Sequence, residues 1–341
     1  TNNQNGKITV AEGEYLDVKK QFSNNGTFTG SIKFSGDNIT ENNILLGDLN
    51  SEYKELLIDT SKPIQFEGDS VIETLEVVSA KSVKFLSAVT INEIDDNGFT
   101  GDFYFDATKF DQNTGGFITS TGFEFKTTGE VKIGKDSTSQ ISFVNSTSPV
   151  NFTHTAGITT IAGNVVANEI TLAENTIEGT VTGTEITLGK TTLNGNITGT
   201  DVEIGDLSLN GTIVADNITL EATEIIGDSE LKINETSTDR KITLNGNVTS
   251  TGSKTLTLNG NVEIPTTSTS QLEINLNEGI LETKDIKYKE LINEVNRIGV
   301  NINQIVYNHN CDFYSTKDKM LLIAYLKLIN KSIKEVTQKW Q

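Results

Sequence analysis

The feature that most constrains this chain is a 16-residue repeat in its middle third. Gly163, Gly179, Gly195, Gly211 and Gly227 stand one step apart, and Ile170-Thr-Leu172, Ile186-Thr-Leu188, Val202-Glu-Ile204 and Ile218-Thr-Leu220 keep the same step. Within one unit, residues 183–198, apolar side chains fall at Ile186, Leu188, Leu193 and Ile197, with Thr, Glu and Asn between them. That alternation has the period of a strand and not of a helix. Glycine and Asn-Gly punctuate the unit, as corners needing positive φ would require. A short unit without a helix signal, repeated at fixed spacing, predicts a β-solenoid in which each coil stacks its strands on the next. Each coil adds about 4.8 Å, so the roughly eight coils that fit in residues 153–284 extend about 40 Å. Tandem antiparallel hairpins are the competing fold, because Asn-Gly is also a hairpin-turn signal. Past Gly227 the step drifts, although Thr243-Leu-Asn-Gly-Asn247 recurs as Thr257-Leu-Asn-Gly-Asn261.

Composition divides the chain into three regions. Fourteen of the 15 Phe lie between Phe22 and Phe152, and no Phe, Tyr or Trp occurs from Thr153 to Lys284. A slender interior filled by β-branched and aliphatic residues leaves no room for rings. Residues 1–152 therefore read as a β region of wider coils or a cap, with 153–284 as the regular solenoid. Within the first region, Asp48–Ile58 reads as a short helix or insertion. Residues 1–284 carry 18 basic and 40 acidic side chains, whereas 285–341 carry 9 and 6. In the last region Leu291, Val295, Ile298, Ile302 and Ile305 step by 4 and 3, as do Leu322, Leu326, Ile329, Ile333, Val336 and Trp340. Those are helix seams, and they predict a helical hairpin over 285–341 that caps the solenoid or joins copies of the chain.

A net charge of −19 disfavours nucleic acid and acidic membranes as partners of the whole chain. A single Cys311 excludes an intrachain disulfide framework, and no apolar run reaches the ~20 residues of a membrane span. Thr1 in place of Met suggests that an upstream segment has been removed.

Catalytic signals are sparse. His154 and His309 have no metal-spaced partner, and His309 with Cys311 lies in a turn where side chains diverge. Glu93-Ile-Asp-Asp-Asn-Gly98 superficially matches the start of a calcium loop. Tyr104 stands where that loop needs a bidentate Glu, so the segment reads as an Asx-rich turn. No catalytic, metal or cofactor residues are expected. Glu169, Glu185, Glu203 and Glu221 sit near equivalent coil positions and are expected to form an acidic ladder, solvated or cation-binding.

Two resemblances add to this. The segment Leu291–Val306 resembles the C-terminal motif of plasmid mobilisation proteins of the MobC type, through Asn296, Arg297, Ile298, Gly299, Asn301, Asn303, Gln304 and Ile305. That resemblance is confined to the C-terminal region and implies a relaxosome accessory role. The basic DNA-contacting part of that family is replaced here by an acidic β array. Residues 1–284 are similar in their Asn/Thr/Gly-rich strands to the passenger domains of bacterial autotransporters and filamentous-haemagglutinin-like proteins. This implies an extracellular or cell-surface location, with a host or neighbouring-cell surface component as partner. The expected function is a non-enzymatic stalk, adhesin or assembly subunit. The alternatives are a mobilisation accessory protein and a glycan-binding or glycan-cleaving β-helix of the phage tail-spike kind.

Overall fold

The computed structural model describes residues 1–283 apart from 40–43, 48–50, 88, 107–108, 111–116, 119–121, 146–147, 235–239, 251–252, 264–273 and 276–279. The chain divides into two compact units, Thr1–Glu282 and Thr283–Gln341. The helical hairpin expected over 285–341 lies outside the described residues.

The first unit is a parallel β-solenoid of about 12 turns. Described strand pairings are parallel, apart from one short hairpin in which Asn145 faces Ser148. Tandem hairpins are thereby excluded. In the regular part each turn has three strands and three faces. One turn comprises Glu185–Leu188, Thr191–Leu193 and Asn196–Thr198, and the next comprises Asp201–Ile204, Leu207–Leu209 and Thr212–Ala215.

Register follows the sequence repeat. On the first face Ile170, Ile186, Val202 and Ile218 lie over one another, beside Leu172, Leu188, Ile204 and Leu220. The third face stacks Val181, Ile197 and Ile213. These side chains are at most 2% exposed, so the alternation of the strand places every repeat aliphatic in one lengthwise core. After Leu220 the turns lengthen, Ile218 pairing with Ile242, so residues 153–284 form fewer turns than a strict count of 16 gives.

The same columns continue into the Phe-containing part. On the second face Phe66, Phe85, Phe105, Ile133, Ile161, Ile177, Leu193, Leu209 and Ile225 form one inward column. The numbering step between partners is 19 at Phe66–Phe85, 28 at Ile133–Ile161 and 16 from Ile161 onward. The column changes from rings to aliphatics between Phe105 and Ile133, ahead of the shortening to 16 residues, and every 16-residue rung that follows is aliphatic. In the part before the 16-residue turns, rings stack: Phe85 and Phe105 are 5.6 Å apart and 6° from parallel, and Phe143 and Phe152 are 4.4 Å apart.

Two expectations are corrected. Residues Glu52–Asp59 form a strand and no helix. Lys54 is an extra residue in it, since Gly30 pairs with Tyr53 while Ser31 pairs with Glu55. That bulge sets the core residues Tyr53 and Leu56 three apart, which imitates helical spacing. The repeat glycines also differ from expectation. Gly163, Gly179, Gly195 and Gly211 do not have positive φ; described positive-φ glycines run from Gly13 to Gly134, with Gly260. What Gly179, Gly195 and Gly211 require is space, because a Cβ on each would enter the carbonyl oxygen of the glycine one turn earlier. Gly227 leaves the column and meets the side chain of Asn210.

Candidate functional site

Outward side chains of the first face stand in registered rows. Glu169, Glu185, Asp201 and Asn217 form one row, and Thr171, Thr187, Glu203, Thr219 and Thr243 form the next. The structure thus brings Glu169 and Glu185 together and continues them with Asp201. Glu203 stands one outward position along, between Thr187 and Thr219, and Glu221 follows the strand, where it accepts a hydrogen bond from Asn245 Nδ2 at 2.9 Å. The row of three acids is closed by an amide at each end. Asn151 Nδ2 donates to Glu169 at 2.7 Å, and Asn217 Nδ2 donates to Asp201 at 2.8 Å. Glu185, Thr187, Asp201, Glu203, Asn217 and Thr219 line a shallow groove of about 290 Å³, floored by Ile186 and Val202. Among the described residues no cluster of three or more His, Cys, Asp or Glu has a metal-holding arrangement.

A second polar group lies inside the solenoid, where the longer turns give way to the regular 16-residue ones. His154 continues the column of Phe125 on one side and Leu172 on the other, and it is fully buried. Its Nε2 is 3.0 Å from the Thr127 carbonyl and its Nδ1 is 2.9 Å from Thr159 Oγ1. A carbonyl accepts only, so Nε2 carries the proton, and Nδ1 accepts the Thr159 hydroxyl. Burial lowers the pKa of this imidazole, against the opposing pull of the Thr127 carbonyl and the Asp96 charge.

Thr127 links this histidine to a buried acid. Asp96 Oδ2 accepts the Thr127 N–H at 2.9 Å and the Lys126 N–H at 2.8 Å. Thr127 Oγ1 donates to the Gly101 carbonyl at 2.6 Å. Asp96 Oδ1 is buried and meets no donor, and burial raises the carboxyl pKa against those two N–H groups. Asp96, Thr127 and His154 therefore form a chain across three successive turns. Around Asp96 the expected Asx turn is present: Asp95 Oδ1 accepts from Asn97 N at 3.2 Å, and Gly98 has φ 83°.

No protein-family model matches this chain, and neither a curated protein nor a solved structure matches it at a significant level. Its architecture and its two polar groups therefore carry the functional argument. Asn296, Arg297, Gly299, Asn301, Asn303 and Gln304 lie outside the described residues. From sequence His154 reads only as a histidine without a metal-spaced partner, and nothing links it to Asp96. The two lie far apart in the chain, and their turns differ in length, so no periodicity brings them together.

Proposed function

We propose that this chain is a non-enzymatic extracellular protein of a bacterium, in which the solenoid serves as a stalk or scaffold that displays its outer faces to another surface. The observation that carries the reading is the unbroken axial register from Glu169 to Leu220. It repeats one polar outer pattern at each 16-residue turn. A repeat of this kind sets length by the number of turns, and its stability accumulates from neighbour to neighbour. The Thr, Glu and Asn rows of the first face form the display surface, and the anionic charge keeps such surfaces apart from one another. The partner is a component of a host or neighbouring cell, or another copy of the chain through its C-terminal region.

The test has two arms. Inserting five extra copies of residues 184–199 should leave the protein folded and lengthen it by about 24 Å, read as the maximum dimension in small-angle scattering. The junction is preserved, since Gly183-Thr184 and Gly199-Thr200 are the same dipeptide. Labelling of intact producing cells with an impermeant amine reagent should modify the chain. Collapse of the extended variant, or complete protection in intact cells with labelling after lysis, would overturn the proposal.

A further inference from the structure

The strongest feature outside the display faces is the buried chain Asp96–Thr127–His154. From its geometry we infer that this chain is an acid-sensitive joint. Taking up a proton at His154 loosens the turns around residues 96–101, 123–134 and 152–161, while the 16-residue turns beyond them stay closed.

In the neutral ring both nitrogens are satisfied, one donating to the Thr127 carbonyl and one accepting from Thr159. A second proton converts Nδ1 from acceptor to donor, so the Thr159 hydroxyl has to rotate away from it. It also places a cation in a space with no access to water, at 0% exposure. Phe125, edge-on to the ring from the preceding turn, and Leu172 in the following turn offer no counter-charge. Asp96 is the charged group that acts on the ring, and Lys126 in turn acts on Asp96. The Asp96 charge reaches His154 through Thr127 and has two backbone N–H groups bound to it, so it offsets the penalty only in part.

Position makes the effect local. Gly101, Gly129 and Gly157 stack at this corner with no room for a Cβ, so neighbouring turns are in direct backbone contact there. The strand Phe152–Ile161 carries a register irregularity between His154 and Ile158. Among the described residues His154 is the one histidine, and the raised carboxyl of Asp96 acts with the opposite sign, so a loss of protection in these turns between pH 7.5 and 5.5 is assignable to His154.

The sign follows from linkage. The folded pKa of His154 lies below its unfolded value of about 6.5, so the open form binds protons first as pH falls. Stability is complete above about pH 6.5 and is lost below it, down to the folded pKa. The opening constant therefore rises as pH falls from 7.5 to 5.5, by at most about tenfold, the limit set by the unfolded pKa.

Hydrogen exchange with mass spectrometry on the full chain, corrected for intrinsic exchange rates, reads this directly. Peptides covering 123–134 and 152–161 should lose protection over that interval, by up to about tenfold, while those covering 183–220 keep theirs. His154→Leu, which extends the Leu172 column, should remove the loss of protection on acidification whatever it does to protection at pH 7.5. If that variant does not fold, the wild-type protein still decides through the imidazole ¹⁵N shifts. His154 should hold its Nε2–H form in the folded state to a pH below that at which a free imidazole takes up its second proton. Uniform loss of protection along the solenoid, unchanged pH dependence in His154→Leu, or a folded-state titration of His154 near 6.5 would each overturn the inference.

Discussion

Replacing Gly195 by Ala is expected to be among the most damaging single-atom additions in the regular solenoid. The added Cβ would enter the Gly179 carbonyl oxygen, and backbone has no rotamer by which to retreat. The corner must open, and the bonds flanking it, Asn194 N to Ile177 O at 2.8 Å and Asn196 N to Gly179 O at 2.9 Å, stretch with it. Overpacking of this sort costs about 1–3 kcal/mol, and two weakened hydrogen bonds add about 1–2 kcal/mol. The expected loss is therefore about 2–5 kcal/mol, against a gain of about 0.4–1 kcal/mol when alanine fits a former glycine site. Graded controls come from the same fold. At Gly189 the nearest backbone oxygen is 2.5 Å from the added Cβ, and at Gly205 it is 3.1 Å. Urea unfolding of the three variants, read locally by protease cleavage because a solenoid need not unfold in one step, should rank Gly195→Ala below Gly189→Ala and that below Gly205→Ala. Equal stability for Gly195→Ala and Gly205→Ala would refute the claim that these glycines exist for contact between turns.

Other outcomes follow from the same columns. Leu193→Phe places a ring in a 16-residue turn and should cost about 1–3 kcal/mol by overpacking, whereas Phe85→Leu should cost a comparable amount by leaving a cavity; thermal unfolding of both checks that each rung of the column is packed to its own side chain. Ile197→Ala, removing a fully buried rung of the third face, should cost about 2–5 kcal/mol in the same assay. Asp96 has a folded pKa above its unfolded value, so its ionised form costs stability at neutral pH and that cost is relieved as pH falls through the folded pKa toward 3.8. Wild type should accordingly gain stability relative to Asp96→Asn on acidification across that window, measured by urea midpoints, and a flat difference would contradict the burial of an unpaired oxygen.

Much of the core was legible because a strand's alternation and a constant step are both local properties. Ile186, Leu188, Leu193 and Ile197 could be assigned inward before any pairing was known. The acidic row was legible in part. After Glu185 the next Glu in the chain is Glu203, but the rung partner one turn on is Asp201, and Glu203 belongs to the neighbouring row. The bulge at Lys54 disguised a strand as a helix, since one inserted residue is enough to shift a period. The purpose of the glycine column was hidden for a different reason. Close approach between turns leaves the same letter in the sequence as a positive φ does. The Asp96–Thr127–His154 chain joins turns of unequal length and leaves no pattern at all.

The direction of the ladder hydrogen bonds has a mechanical consequence. In a parallel solenoid they run along the axis, so a pull at the two ends loads each inter-turn layer as a zipper and not in shear. Such a layer parts at modest force, one turn after another, and every released 16-residue segment yields slack far longer than the rung it came from. A tether built this way gives way progressively under a sudden tug, absorbing work over distance, and its turns can close again when the load is gone.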